Sequence, residues 1–226
     1  MISLLKAAIA IQQFEKDSLT SRISFIENKL AGGDSNTCES VYPSLGITPA
    51  LLESAIAFKR TAGQINVLVH SIGILLALPQ ILGNDEIIEY LSLGAGNSGR
   101  PFDLETNNRI AEFKFIHWQG GAETIRQNSL FKDFYLLAEY ETTKQKYLYV
   151  LGTKYPLKFL TSGRSIESVM IQNKKLWEGF QKQYGSRFKK VGEYFEYRKS
   201  VVQLKDIAES VPEFGNEAII ENDVPE

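Results

Sequence analysis

The chain has 226 residues, 43% of them hydrophobic and 23% charged, with a formal net charge of -2. That apolar fraction supports a folded core, and 17 Gly with 7 Pro are too few for a collagen-like or low-complexity chain. A single cysteine, Cys38, and two histidines, His70 and His117, exclude an internal disulfide, a cysteine-based zinc site and a multi-histidine metal centre, and the near-neutral charge argues mildly against a nucleic-acid partner.

Residues 2–30 read as one or two helices, closed by Ala31-Gly32-Gly33-Asp34. Lys6 lies inside the first apolar stretch and Gln12, Gln13, Glu15 and Lys16 follow it, the pattern of an amphipathic helix rather than a signal peptide. Residues 34–46 read as a loop carrying Cys38. Thr48-Pro49 is a helix start, a hydroxyl N-cap followed by proline at the first helical position, and predicts a helix to about Thr61. A second helix is predicted over about 65–82. No charge occurs between Arg60 and Asp85, but Gly63, Gln64, Asn66, His70, Ser71, Pro79 and Gln80 interrupt the run, and its longest apolar piece, Ile72–Leu78, is too short to cross hydrocarbon. The reading is a buried core helix in a soluble, cytoplasmic protein with no membrane partner.

The texture then changes. Glu86–Leu93 is strand-like, Gly94–Gly99 is a glycine-rich turn, and Phe102–Thr106 with Ile110–Ile116 forms a hairpin joined at Asn107-Asn108 and ended by Gly120-Gly121. Residues 123–141 read as a helix with Ile125, Leu130, Phe134, Leu137 and Ala138 on one buried face, and Lys146–Gly152 as a strand. Residues 165–184 read as helical, and a further element falls around Tyr194–Glu209. The division that follows is a helical N-terminal extension at 1–62, an α/β core at 63–155, a helical C-terminal region at 156–212 packing on the core, and an acidic tail at 213–226.

Gly94-Ala95-Gly96-Asn97-Ser98-Gly99 matches the GxGxxG dinucleotide pattern, but that chemistry needs the last glycine to open a helix facing the pyrophosphate. Arg100-Pro101 and a strand follow instead, so the motif reads as a turn. More is carried by Asp103 and by Ile110-Ala111-Glu112-Phe113-Lys114-Phe115-Ile116. Alternation along a strand puts Glu112 and Lys114 on one face with Ile110 and Ile116, and Ala111, Phe113 and Phe115 on the other. Charges within an otherwise apolar strand need partners, and Asp103 on the neighbouring strand stands beside them. Two carboxylates beside a lysine suit a hard divalent cation with a fixed positive charge next to it. Glu-x-Lys alone is expected about once by chance in a chain this long. Its conjunction with an acid nine positions earlier, in a helix–strand–strand–strand–helix–strand order, is more informative.

In these residues the chain resembles the PD-(D/E)xK, or restriction-endonuclease-like, nuclease superfamily, over about residues 65–152. Asp103 matches the first acid of the pattern, Glu112 the second and Lys114 the lysine; Phe102 separates Pro101 from Asp103, a departure from the pattern. The resemblance implies an α/β restriction-endonuclease-like core (αβββαβ) with helical extensions, acting as a Mg2+- or Mn2+-dependent nuclease on DNA rather than RNA, in defence or repair. It implies metal binding by Asp103, Glu112 and the Phe113 carbonyl. Lys114 is implied to orient or deprotonate water or to stabilise developing charge, and Arg126 and Gln127 to contact the phosphate backbone. The superfamily often carries one more acid on the preceding helix, for which Glu86 and Glu89 are both candidates. His117 reads as a strand-end histidine rather than a catalytic one. Cutting both strands calls for two active sites, hence an expected homodimer.

Charge distribution bears on the partner independently. Residues 174–205 hold nine Lys and Arg against three Glu, a local charge of +6, interleaved with Trp177, Phe180, Tyr184, Phe188, Tyr194, Phe195 and Tyr197. That mixture suits either a backbone-tracking nucleic-acid surface or a solvated helix face over an aromatic core. Residues 206–226 carry seven acids and no base. The alternative to a nuclease is a non-catalytic interaction or nucleic-acid-binding protein on the same fold.

Overall fold

Hydroxyl and carboxylate caps start the N-terminal helices. Ser3, Ser18 and Asp34 accept hydrogen bonds from the backbone N–H three residues on, opening α1 (Leu4–Glu15), α2 (Leu19–Leu30) and α3 (Ser35–Leu45). The computed structural model describes residues 3–16, 18–94, 99–115, 118 and 123–215. Residues 95–98 of the glycine-rich turn, Ile116, His117, Gly120-Gly121 and the end of the acidic tail lie outside the described residues. The chain divides into two units, 1–66 and 67–226.

The first unit is helical, as expected, but residues 34–46 form α3 rather than a loop. Asp34 accepts from both the backbone N–H (2.9 Å) and the hydroxyl (2.8 Å) of Thr37, a cap that outweighs the helix-poor Asn, Thr and Pro content. Thr48 starts α4 (Pro49–Ile81), its hydroxyl accepting from Leu51 N–H at 3.2 Å. This is one helix of 33 residues where two were expected. Gly63 falls in the expected gap between them, but a glycine costs only about 1 kcal/mol in a helix interior and cannot by itself end one.

The second unit contains the rest of α4 and a five-stranded mixed sheet: β1 (Ile88–Leu91), β2 (Leu104–Thr106), β3 (Arg109–Lys114), β4 (Gln145–Val150) and β5 (Val202–Asp206), in that spatial order. β1–β2 and β2–β3 are antiparallel, and β3–β4 and β4–β5 are parallel. Parallel pairing demands a crossover, and α5 (Thr124–Glu139) supplies it between β3 and β4. Four further helices precede β5: α6 (Lys154–Leu160), α7 (Ile166–Met170), α8 (Lys174–Tyr184) and α9 (Val191–Arg198). The C-terminal region is therefore not wholly helical. β5, which completes the sheet, was expected as part of a helical region because its Val202-Gln203-Leu204-Lys205 alternation is too short for a period to show.

Two cores line the sheet. On one face Ile74, Ala77, Leu78 and Ile81 of α4 pack against Leu104, Ala111, Phe113 and Tyr149, joined by Ile207, Val211 and Phe214. On the other, α5 to α9 cover Ile110, Leu148 and Val150. α4 is thus only in part the buried core helix expected: Leu68, Ile72, Leu75 and Leu76 are exposed, and in its most apolar stretch, of mean hydropathy 1.6, 22% of residues are buried. It is long and apolar enough to cross a membrane by length and composition, but its last two turns are committed to the sheet. Gly73 lets it approach closely, since a Cβ there would stand 2.7 Å from the Phe115 ring.

α5 is fixed at its C-terminal end. The buried Lys146 ammonium donates to the carbonyls of Ala138 (3.0 Å) and Tyr140 (2.6 Å), a cation on the negative end of the helix dipole. Between them Glu139 accepts from Tyr194 Oη (2.6 Å), Tyr184 Oη (2.8 Å) and Arg198 (2.9 and 3.0 Å). Burial alone would push its carboxyl up, but the hydroxyl and guanidinium donors hold it below the usual value. Of the expected buried face of α5, Leu130, Phe134, Leu137 and Ala138 are buried, while Ile125 is 86% exposed in the first turn.

Because Glu139 titrates lower in the folded chain than in the unfolded one, its bonds stabilise fully above pH 4.5 and fade as the pH falls through the depressed folded value. Glu139→Gln is expected to lower unfolding stability by about 2 kcal/mol at neutral pH. The gap from the parent should narrow in urea melts taken progressively below pH 4.5.

Candidate active site

Strand β3 sorts its side chains as the alternation requires. Ala111, Phe113 and Phe115 enter the α4-side core, while Ile110 faces α5 with Glu112 and Lys114. Asp103 lies immediately before β2. Its backbone N–H donates to Ala111 O (3.0 Å), and its Oδ2 accepts from Phe113 N–H at 3.0 Å. β2 pairs with β3 only as far as Leu104 opposite Ala111, and beyond that point no strand among the described residues pairs with this edge of β3. Backbone polar groups of alternate residues point to the same side, so Phe113 directs its N–H and its carbonyl into this gap. Asp103 occupies the N–H, and the carbonyl faces the same space.

The Lys114 ammonium lies 2.7 Å from Glu112 Oε1 and 2.7 Å from Asp133 Oδ2. Asp133 is on α5, where its other oxygen faces Lys132 at 3.4 Å and Ser129 Oγ donates to Oδ2 at 3.3 Å. From the opposite face α4 contributes His70, whose Nε2 stands 3.3 Å from Asp103 Oδ1 and whose ring meets Phe115 edge-on. Asp103 and Glu112 are each 9% exposed and Asp133 3%. Burial pushes the Glu112 carboxyl up to about 8; Lys114 opposes that, and the neighbouring Asp133 and Asp103 carboxylates add to it. For Lys114 burial works against the charge, but Asp133 and Glu112 overcome it and hold the ammonium above its ordinary range. Both carboxylates thus favour the ammonium form of Lys114.

Asp103, Glu112, Lys114 and the Phe113 carbonyl thus meet at one end of β3. Two residues missed in the sequence join them, and each left a signal. His70 falls on the helical stripe of Ile74, Ala77, Leu78 and Ile81, which faces the sheet. Asp133 stands between Leu130 and Leu137 on the buried stripe of α5, an acid where the period calls for an apolar residue. Glu86 and Glu89 do not join the site. Glu86 lies after α4 and grips Arg109 with both oxygens (2.5 and 2.6 Å) at the far end of β3, about 16 Å away along the strand. Glu89 is on β1 and pairs with Lys144 at 2.6 Å.

Arg126 pairs with Glu123 at 2.7 Å and, with Lys114, Trp118 and Ser129, lines a cavity of about 60 Å3. Gln127 accepts from Arg164 and lines a separate cavity. Of the aromatic residues interleaved with the basic segment, Phe180 and Tyr194 are fully buried and pack with Tyr135, Tyr184 and Phe188, while Tyr197 is exposed. Lys174, Lys175, Lys182, Arg187, Lys189, Lys190 and Lys199 are exposed, leaving a basic outer surface over an aromatic core.

Among the described residues no three His, Cys, Asp or Glu side chains form a ready metal cage. Mg2+ does not require one, because it is commonly held by one or two carboxylates with water and phosphate completing its shell. Asp103, Glu112 and the Phe113 carbonyl provide that smaller set. The Asp133 and Asp103 carboxylates add to the burial that raises the Glu112 carboxyl, so negative charge is crowded here, and oxygen donors of this kind are those a hard divalent cation takes. No family model matches the chain, and neither the curated proteins nor the solved structures give a match.

A carboxyl that binds its proton more tightly when folded stabilises fully below pH 4.5, and that contribution is lost as pH rises through about 8. Glu112→Gln is therefore expected to leave stability unchanged in acid and to raise it by on the order of 2 kcal/mol above pH 8. Paired urea melts across that interval measure the difference.

Proposed function

We propose that this chain is a divalent-metal-dependent nuclease with a restriction-endonuclease-like core, acting on DNA in preference to RNA. The observation that carries the reading is the Lys114 ammonium locked between Glu112 and Asp133 at the end of β3, beside Asp103 and the Phe113 carbonyl. The order α4-β1-β2-β3-α5-β4, with the acids and the lysine on the second and third strands, supports the core assignment.

Asp103, Glu112 and the Phe113 carbonyl would hold the cation. When bound, a divalent metal polarises the phosphoryl oxygen and acidifies its water. Lys114 contributes a positive charge aimed at where negative charge builds on the phosphoryl oxygens, which requires no proton transfer from the lysine. Asp133 is a positioning residue: it holds the ammonium in place from α5. His70 does the same for Asp103 through Oδ1, leaving lone pairs on the carboxylate for the metal. Arg126, which lines a cavity with Lys114, would meet a backbone phosphate.

Purified chain is expected to nick supercoiled plasmid with Mg2+ or Mn2+ and to stop on chelation. Asp103→Ala, Glu112→Gln and Lys114→Ala should each lose about a hundredfold or more in rate, the scale of one preorganised charge. Asp133→Asn should lower kcat with little change in KM. Absence of cleavage with metal, or equal cleavage by parent and variants, rejects the assignment.

A further inference from the structure

The indole of Trp118 is 8% exposed and packs against Phe159, yet its Nε1–H has no hydrogen-bond partner among the described residues. A buried donor left unpaired costs about 1–3 kcal/mol, so an orphan of this kind asks for an explanation. Trp118 lines a cavity of about 220 Å3 whose other walls include Gln127, Lys158, Ser162 and Arg164. That is roughly seven times the share of one liquid water, room for a phosphoryl group with attached atoms.

The chemistry of the lining is one-sided. Arg164 and Lys158 bring two formal positive charges, Ser162 a hydroxyl and Trp118 an N–H, and no carboxylate among the described residues faces the cavity. The Arg164 guanidinium is steadied by the neutral Gln127 carbonyl, which orients it without cancelling its charge. The turn that carries these groups is held in advance. Gly192 N–H donates to Ser162 O (3.0 Å) and Val191 N–H to Arg164 O (2.8 Å). A Cβ on Gly192 would stand 2.9 Å from Thr161 O, so only glycine permits this approach. A preorganised set of donors with no acid is suited to an acceptor-only anion bearing several oxygens. Trp118 also walls the smaller cavity that Lys114 enters, so the two spaces adjoin across one indole.

We propose that this cavity is a phosphate-binding subsite, taking a phosphate of the substrate strand beside the one attacked. The strand as the source rests on the nuclease reading above; the phosphate chemistry rests on the donors alone. The chain has two tryptophans, Trp118 and Trp177, so Trp177→Phe assigns the two indole N–H signals in a 15N-labelled sample. Titration with inorganic phosphate at constant ionic strength, with chloride as the control anion, is expected to move the Trp118 signal saturably and leave that of Trp177 in place. Lys158→Ala, at an exposed position, should weaken phosphate binding about tenfold and Arg164→Gln further, whereas Glu112→Gln should leave it unchanged while abolishing cleavage. Failure of the nuclease reading would thus leave the phosphate response intact. An unmoved Trp118 signal, an equal response to chloride, or undiminished binding by both Lys158→Ala and Arg164→Gln overturns the proposal. Oligonucleotides carrying a 5′-phosphate, a 3′-phosphate or no terminal phosphate then compete for the site. Competition only by a phosphorylated end supports a terminal phosphate, equal competition by all three supports an internal one, and no competition by any overturns the assignment to the substrate strand.

Discussion

Two charges on the covered face of a central strand are the constraint on which the second unit depends. Glu112 and Lys114 occupy the third of five strands and point toward α5. Isolated there, either would cost several kcal/mol of desolvation, and their mutual contact alone leaves hydrogen-bonding capacity unused. Asp133 meets the remaining need, and it can do so only because α5 crosses over the sheet. That crossover follows from the parallel pairing of β3 with β4. The anchoring of the α5 C-terminus by Lys146, Arg198 and the Tyr184 and Tyr194 hydroxyls, far from the site in sequence, therefore contributes to holding the Asp133 carboxylate at Lys114.

Glu112 and Asp133 meet the Lys114 ammonium, Lys132 faces the other oxygen of Asp133, and His70 stands by the far oxygen of Asp103. Burial, with the Asp133 and Asp103 carboxylates beside it, raises the Glu112 carboxyl to about 8. A folded chain that keeps such a group gives up stability it would have with a neutral side chain. Across the Trp118 indole the sign reverses: Arg164 and Lys158 line a cavity that no carboxylate among the described residues faces, so acidic and basic groups lie side by side.

Much of this was legible in the sequence, for local reasons. Alternation in Ile110–Lys114 put Glu112 and Lys114 together because a strand permits only two faces. The Asn107-Asn108 turn brought Asp103 alongside because a tight hairpin leaves little freedom in register. Asp34 and Thr48 marked helix starts through their caps, although the first was not used. The interleaved aromatic residues of 177–197 were ambiguous because a ring at helical spacing is equally suited to a groove and to a core, and the packing of Phe180, Tyr184, Phe188 and Tyr194 on one another puts those four in the core. β5 was hidden because only one face of it needs to be apolar, and a stretch of five residues is too short for a period to show.

The amino-acid sequence by itself determined the helix and strand order of the core, the two faces of β3 and the pairing of Asp103 with Glu112 and Lys114, since each rests on neighbours within a dozen residues. Only the tertiary structure decided that His70 and Asp133 complete the site, that Glu86 and Glu89 stay outside it, and that Trp118, Lys158 and Arg164 enclose a cavity. Those relations join α4, β3, α5 and the turn after α6, and no local period carries information about which distant side chain a buried charge will find. The net charge of -2 belongs to neither level: it averages a +6 segment against a tail of seven acids and describes no surface of the folded chain.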